Sequence, residues 1–135
     1  MKTPIAFKIR PDKRGKWKRK GAYMMILVYP TIRDVKAAYK KLYPGDKDPP
    51  VAFWHTANIN GPEIGFIVLA LTRLGIDVIA HESVHAAFSF VTWQMTGRTW
   101  GRKVQISHNG EKICQATGNI TREITMNLFR LKIWK

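Results

Sequence analysis

The chain has 135 residues, 45% of them hydrophobic, with five Trp, six Phe and four Tyr, which excludes a disordered chain and suits one domain with its own core. Its 23 Lys and Arg against nine Asp and Glu leave a net charge of +14, a field that attracts nucleic acid, anionic membranes or acidic proteins without choosing among them. The longest apolar runs, such as residues 64–71, fall far short of the roughly 20 residues of a membrane span, no signal-peptide core is read near the start, and the single cysteine excludes an intrachain disulfide, so the expectation is a soluble, cytoplasmic chain.

Residues 1–21 are expected to form a basic N-terminal arm ahead of a single domain over 22–135. Within that arm "KIRPDKRGKWKRK" (8–20) carries eight Lys or Arg against Asp12 alone. Such a run suits a solvated, self-repelling terminus as well as direct contact with phosphates, and Trp17 suits stacking on a base as well as folding back. "AYMMILVY" (22–29), bounded by Gly21 and Pro30, predicts a buried strand. A helix follows, with Thr31 and Asp34 at capping-box spacing, Ile32, Val35, Ala38, Tyr39 and Leu42 at helical intervals, and Pro44 and Gly45 as the stop. Residues 51–58 and 63–71 read as two strands joined antiparallel through Asn60, Gly61 and Pro62. Gly75 to Thr96 has the length and composition of a helix capped by Gly97, and a basic connection over 97–109 leads to a last helix from about Asn109, with Ile113, Ile120, Ile124, Leu128 and Leu131 on one face. Gly118 inside that helix predicts a close approach to Ala86 and Ala87, and Cys114 is expected as a small buried hydrophobe.

The predicted helix 75–96 contains His81-Glu82-Ser83-Val84-His85. Residues four apart share a helix face, so His81 and His85 can present nitrogens to one metal ion, while Glu82, about 100° around the axis, is free to act on water as a general base. Zinc lowers the pKa of a bound water to about 7 and polarises a carbonyl, which together suit peptide-bond hydrolysis. The helix is apolar on most sides, and an ionised carboxylate buried there needs a partner that a metal supplies. A catalytic zinc takes three protein ligands as a rule. Glu111, at the start of the last helix, is one candidate for the third. His108 is its rival, or else a donor to the reaction's oxyanion. His55 is expected to be structural, and Asp77, one turn before His81, to be either an ordinary first-turn aspartate or a partner fixing the imidazole.

"VIAHESVHAA" (78–87), followed by "NGEKICQATGNI" (109–120), resembles the zincin metallopeptidases and, more narrowly, small phage and prophage proteins with a zincin core. The resemblance covers about residue 51 to the end. It implies an α+β fold in which a small antiparallel or mixed sheet packs against the motif helix and a C-terminal helix. It also implies a Zn2+ site of His81, His85 and Glu111, with Glu82 as the general base and a protein or peptide as substrate. Related proteins often carry an aromatic near Gln115 and a glycine matching Gly118; the glycine agrees and Gln115 departs. DNA-associated zincins, which have a third histidine after the motif, are a second resemblance and favour His108 as ligand. The sheet edge of such proteins accepts an extended peptide, and residues 63–71 are the candidate edge, while their apolar continuity suits an ordinary core strand at least as well. The alternative from a different class is a non-enzymatic chain that binds nucleic acid through the basic arm and Arg98 to Lys103, or that meets an acidic host protein as an inhibitor, with any metal structural.

Overall fold

The structure, a computed structural model, describes residues 3–57, 59–99 and 106–134, with side chains from residue 109 onward in the last segment. In chain order its elements are β1 (Ile5–Ile9), a short 3-10 turn (Pro11–Lys13), β2 (Tyr23–Tyr29), α1 (Ile32–Leu42), β3 (Phe53–Thr56), β4 (Glu63–Ala70), α2 (Ile76–Thr96) and α3 (Ile106–Arg130). The fold is α+β. Its four-stranded mixed sheet has the order β1-β2-β4-β3, with β2 parallel to β4 and both outer strands antiparallel to their neighbours.

The two central strands are nearly continuous apolar runs because helices cover both of their faces. Met24, Ile26, Val28, Ile67 and Leu69 face α2 and α3, whereas Tyr29, Val68 and Ala70 pack with Val35 of α1 on the other side. A register shift between Tyr23 and Met24 puts Ile64 on the same face as Ile67 despite their odd spacing. Next to it Gly65 is required by sterics, because a Cβ there would collide with the His55 carbonyl of β3.

Local signals account for the helix ends. Thr31 Oγ1 accepts from the Asp34 N–H at 3.3 Å while Asp34 Oδ2 accepts from the Thr31 N–H at 3.2 Å, so α1 opens with a reciprocal capping box. α2 closes at Gly97, left-handed at φ 77°, whose N–H donates to the Trp93 carbonyl at 2.8 Å. Ala86, Ala87 and Phe90 of α2 join Ile113, Ala116, Ile120, Ile124 and Leu128 of α3 in the main core. Lys112 Nζ reaches Met95 Sδ at 3.6 Å, so the start of α3 lies beside the end of α2.

Several expectations are corrected here. Part of the segment read as a basic arm is β1, an outer strand with Phe7 and Ile9 buried, and of the two roles left open for Trp17 the ring takes the folded-back one, only 6% exposed. The strand 63–71 is interior, flanked by β2 and β3, and β3 is the outer strand on that side. Gly118 is exposed and a Cβ there would meet nothing within 4 Å; the small residue of α3 in the core with Ala86 and Ala87 is Ala116. Cys114, one residue off the buried stripe and so about 100° around the axis, is exposed rather than buried. Leu131 lies beyond the end of α3 and is 38% exposed. No helix among the described residues is long and apolar enough to cross a membrane.

Candidate metal centre

The first half of α2 runs past the outer strand β3 and exposes one stripe there. His81 and His85 are exposed along it, their ring centroids 5.1 Å apart, while Ala86, Ala87 and Phe90 turn into the core. Glu82 turns inward as well and retains only 4% of its surface. One donor atom from each of His81, Glu82 and His85 fits within 4.8 Å of the others. On a tetrahedral zinc, with ligands at roughly 2.0–2.2 Å, donor atoms stand about 3.3 Å apart, so the exposed imidazoles would draw together to share an ion.

The electrostatics of the group are unbalanced. His81 Nε2 is 3.8 Å from Glu82 Oε1, too far for a hydrogen bond, and Glu82 Oε2 is buried with no hydrogen-bond partner. Burial pushes the Glu82 carboxyl above its ordinary range, with the charge of His81 opposing the shift. Burial, and then the charge of His81, hold His85 below the ordinary imidazole value, which favours the neutral form that ligates metals. Two imidazoles on one face, one favoured in its ligating form, are a pair that a divalent cation can join, and such a cation would also supply positive charge beside the carboxylate whose Oε2 lacks a hydrogen-bond partner.

Walls and floor come from the end of α1 and the lead into β3. His81, Glu82 and His85 open onto a cavity of about 310 Å³ that is also lined by Tyr39 of α1, by Tyr43 at its C-terminal cap, by Pro50 and Ala52, and by Phe53 and Trp54 of β3. A second depression of about 430 Å³ adjoins His81 and Glu82, lined by Val51, Asp77 and Val78. β3 is tied to α2 by a polar triangle in which Trp54 Nε1 donates to Thr56 Oγ1 and Ser89 Oγ, every edge being 3.2 Å. Ser89 is one turn beyond His85, so this triangle sets the distance between the strand edge and the imidazoles.

The other sequence candidates lie elsewhere. Glu111 is exposed on α3, next to Lys112 and hence near Met95, ten residues and about 15 Å along α2 from His85. It stands two residues before Ile113 and therefore off the face that meets α2. The backbone of His108 belongs to α3, but its side chain lies outside the described residues, as do residues 100–103 of the basic connection. Asp77 pairs with Arg73 at 3.0 Å rather than with an imidazole. His55 lies beside the end of α1, its Nδ1 2.6 Å from Tyr43 Oη. The two tyrosines were missed at the level of sequence. Their i, i+4 spacing was the available signal, but placing them at the motif required knowing that α1 reaches the edge of β3. Asp46 accepts from Tyr39 Oη and raises its pKa to about 12, and burial raises that of Tyr43, so both hydroxyls remain proton donors at neutral pH.

Comparison of the chain with protein-family models, with curated proteins and with solved structures finds no match.

Proposed function

We propose that the chain is a zinc-dependent peptidase in which His81 and His85 hold the metal and Glu82 serves as the general base. The observation that carries this reading is the buried Glu82 oxygen with no partner, set beside two imidazoles at the mouth of an open cavity. Zinc, when bound, supplies a Lewis acid for the scissile carbonyl and lowers the pKa of water. Glu82, its pKa raised by burial, takes a proton from the attacking water and returns it to the leaving amine. Tyr43, a protonated hydroxyl on the cavity wall that accepts from the Nδ1–H tautomer of His55, donates to the oxygen on which charge develops, the role first considered for His108.

The substrate is an extended peptide lying along β3. Among the described residues no strand pairs with the outer side of β3, and its backbone runs past the motif at the separation set by the Trp54–Thr56–Ser89 triangle. Strand addition there supplies backbone hydrogen bonds, and alternate peptide side chains point toward the cavity. Glu82→Gln is the decisive variant. With metal content unchanged it is expected to lower hydrolysis of a mixed peptide library, followed by mass spectrometry, by about a thousandfold; cleavage at the wild-type rate would remove Glu82 from the mechanism.

A further inference from the structure

At the opposite end of α2 a second site is built from the basic segment. Between Lys13 and Lys20 stand six cations, and like charges so close together repel. The chain nonetheless holds this loop in one course with buried side chains. Trp17 packs edge-on against Phe90 at 4.9 Å and donates from Nε1 to the Arg14 carbonyl at 2.5 Å. Gln94, 6% exposed, clamps the Arg19 backbone from both sides, accepting from its N–H and donating to its carbonyl, each at 2.7 Å. Asn119 of α3 donates to the Arg14 carbonyl at 3.1 Å. Gly15, at φ 92°, supplies a left-handed turn in the middle of the loop, where a Cβ would also press on Gln115.

The acids near the loop are already engaged. Asp12 is buried, its Oδ2 accepting from the Gly21 N–H and its Oδ1, without a hydrogen-bond partner, 3.7 Å from Arg10 Nε, and Glu123 pairs with Lys13 at 3.3 Å. Arg14, Lys16, Lys18, Arg19 and Lys20 are exposed with no carboxylate partner among the described residues. Lys16 and Lys18 converge with Lys112 of α3 on a cleft of about 650 Å³, in which Gln94 and Gln115 bring side-chain amides.

We infer that this cleft and the loop above it form a phosphate-binding surface for double-stranded nucleic acid, contacted through its backbone. A cleft lined by cations without acid partners, on a loop whose backbone is held before the ligand arrives, suits a phosphate chain and avoids the ordering entropy of a free tail. Duplex is favoured over single strand because the aromatic ring of the loop is packed against Phe90 and its N–H is occupied, leaving it unavailable as a stacking platform. The site lies about 20 Å along α2 from His81, thirteen residues before Gln94, and does not depend on the metal or on hydrolysis.

The test is fluorescence anisotropy of a labelled DNA duplex of about 20 base pairs with the full chain, titrated at several salt concentrations. Lys16→Glu with Lys18→Glu is compared with Lys36→Glu with Lys40→Glu on α1, across the sheet, which changes the net charge equally. The cleft pair is expected to weaken binding at least tenfold at about 0.1 M salt and to flatten the salt slope by about two, while the α1 pair changes affinity less than threefold. Gln94→Ala, which alters no charge but releases the loop backbone, is expected to weaken binding severalfold, with circular dichroism confirming the fold. Equal losses from the two lysine pairs would reduce the effect to net charge and overturn the proposal. So would tighter binding to the single strand, or to phosphatidylserine vesicles, than to the duplex.

Discussion

The two ends of α2 are unbalanced in opposite senses. At the His81 end a carboxylate is buried with one oxygen lacking any partner, and a cation from outside would complete it. At the Gln94 end cations are exposed without acids, and an anion from outside would complete them. The means differ as well. The first end stores its imbalance in a single desolvated group, whose energetics respond to protonation or metal; the second distributes it over a solvated loop, where salt screens it. A sequence-wide charge of +14 therefore says little about the site that carries the chemistry, since the motif lies where the local excess is one buried negative group.

The comparison can be broken at either end. The largest effect is expected at the metal: His85→Ala should lower zinc affinity by about a hundredfold or more in a chelator competition, and unchanged affinity would mean that the imidazole pair is not the ligand set. Next comes the anchoring of the basic loop. Trp17→Ala should destabilise the fold by about 3 kcal/mol in urea unfolding, because it empties a core position against Phe90; a free arm would lose almost nothing.

Glu82→Gln sharpens the contrast in the metal-free protein. Because burial raises its pKa in the folded state, the folded chain keeps a proton that the unfolded chain releases, so stability is full below the ordinary carboxylate range and falls as pH rises toward the raised value. In the presence of chelator the glutamine variant should therefore be more stable than wild type at pH 7, with the difference shrinking as pH falls below the ordinary carboxylate range. A variant less stable than wild type at pH 7 would show that the carboxylate has a favourable partner without metal. The smallest effect is expected on the outer face of α3, where Gly118→Ala should add somewhat less than 1 kcal/mol, the helix-propensity gain at an open position. Destabilisation there would restore the close helix approach first expected from the sequence.

Much of the architecture was legible wherever the cause was local. The α1 capping box, the Gly97 cap, the antiparallel β3–β4 pair and the helical placement of His81 and His85 all follow from residues within a few positions of one another. Non-local order was not. The apolar run 63–71 shows that both faces of β4 are covered, but it carries no information about lateral neighbours, and the parallel pairing with β2 made it central. β1 was masked by the charges that follow it, since only Phe7 and Ile9 of its five residues are buried. Glu111 shows the same limit at the site: an acid expected at the start of a helix that packs against α2 looks well placed, but α3 begins at Ile106 and the neighbouring Lys112 falls beside Met95.

The central claim is that the His81 end of α2 takes a divalent cation. Its most direct test is metal analysis of the purified full chain, dialysed against zinc and then desalted, beside the His81→Ala and His85→Ala variants. One zinc per wild-type chain, lost in both variants, is the expected result. A wild-type chain that retains no more metal than the variants would contradict it.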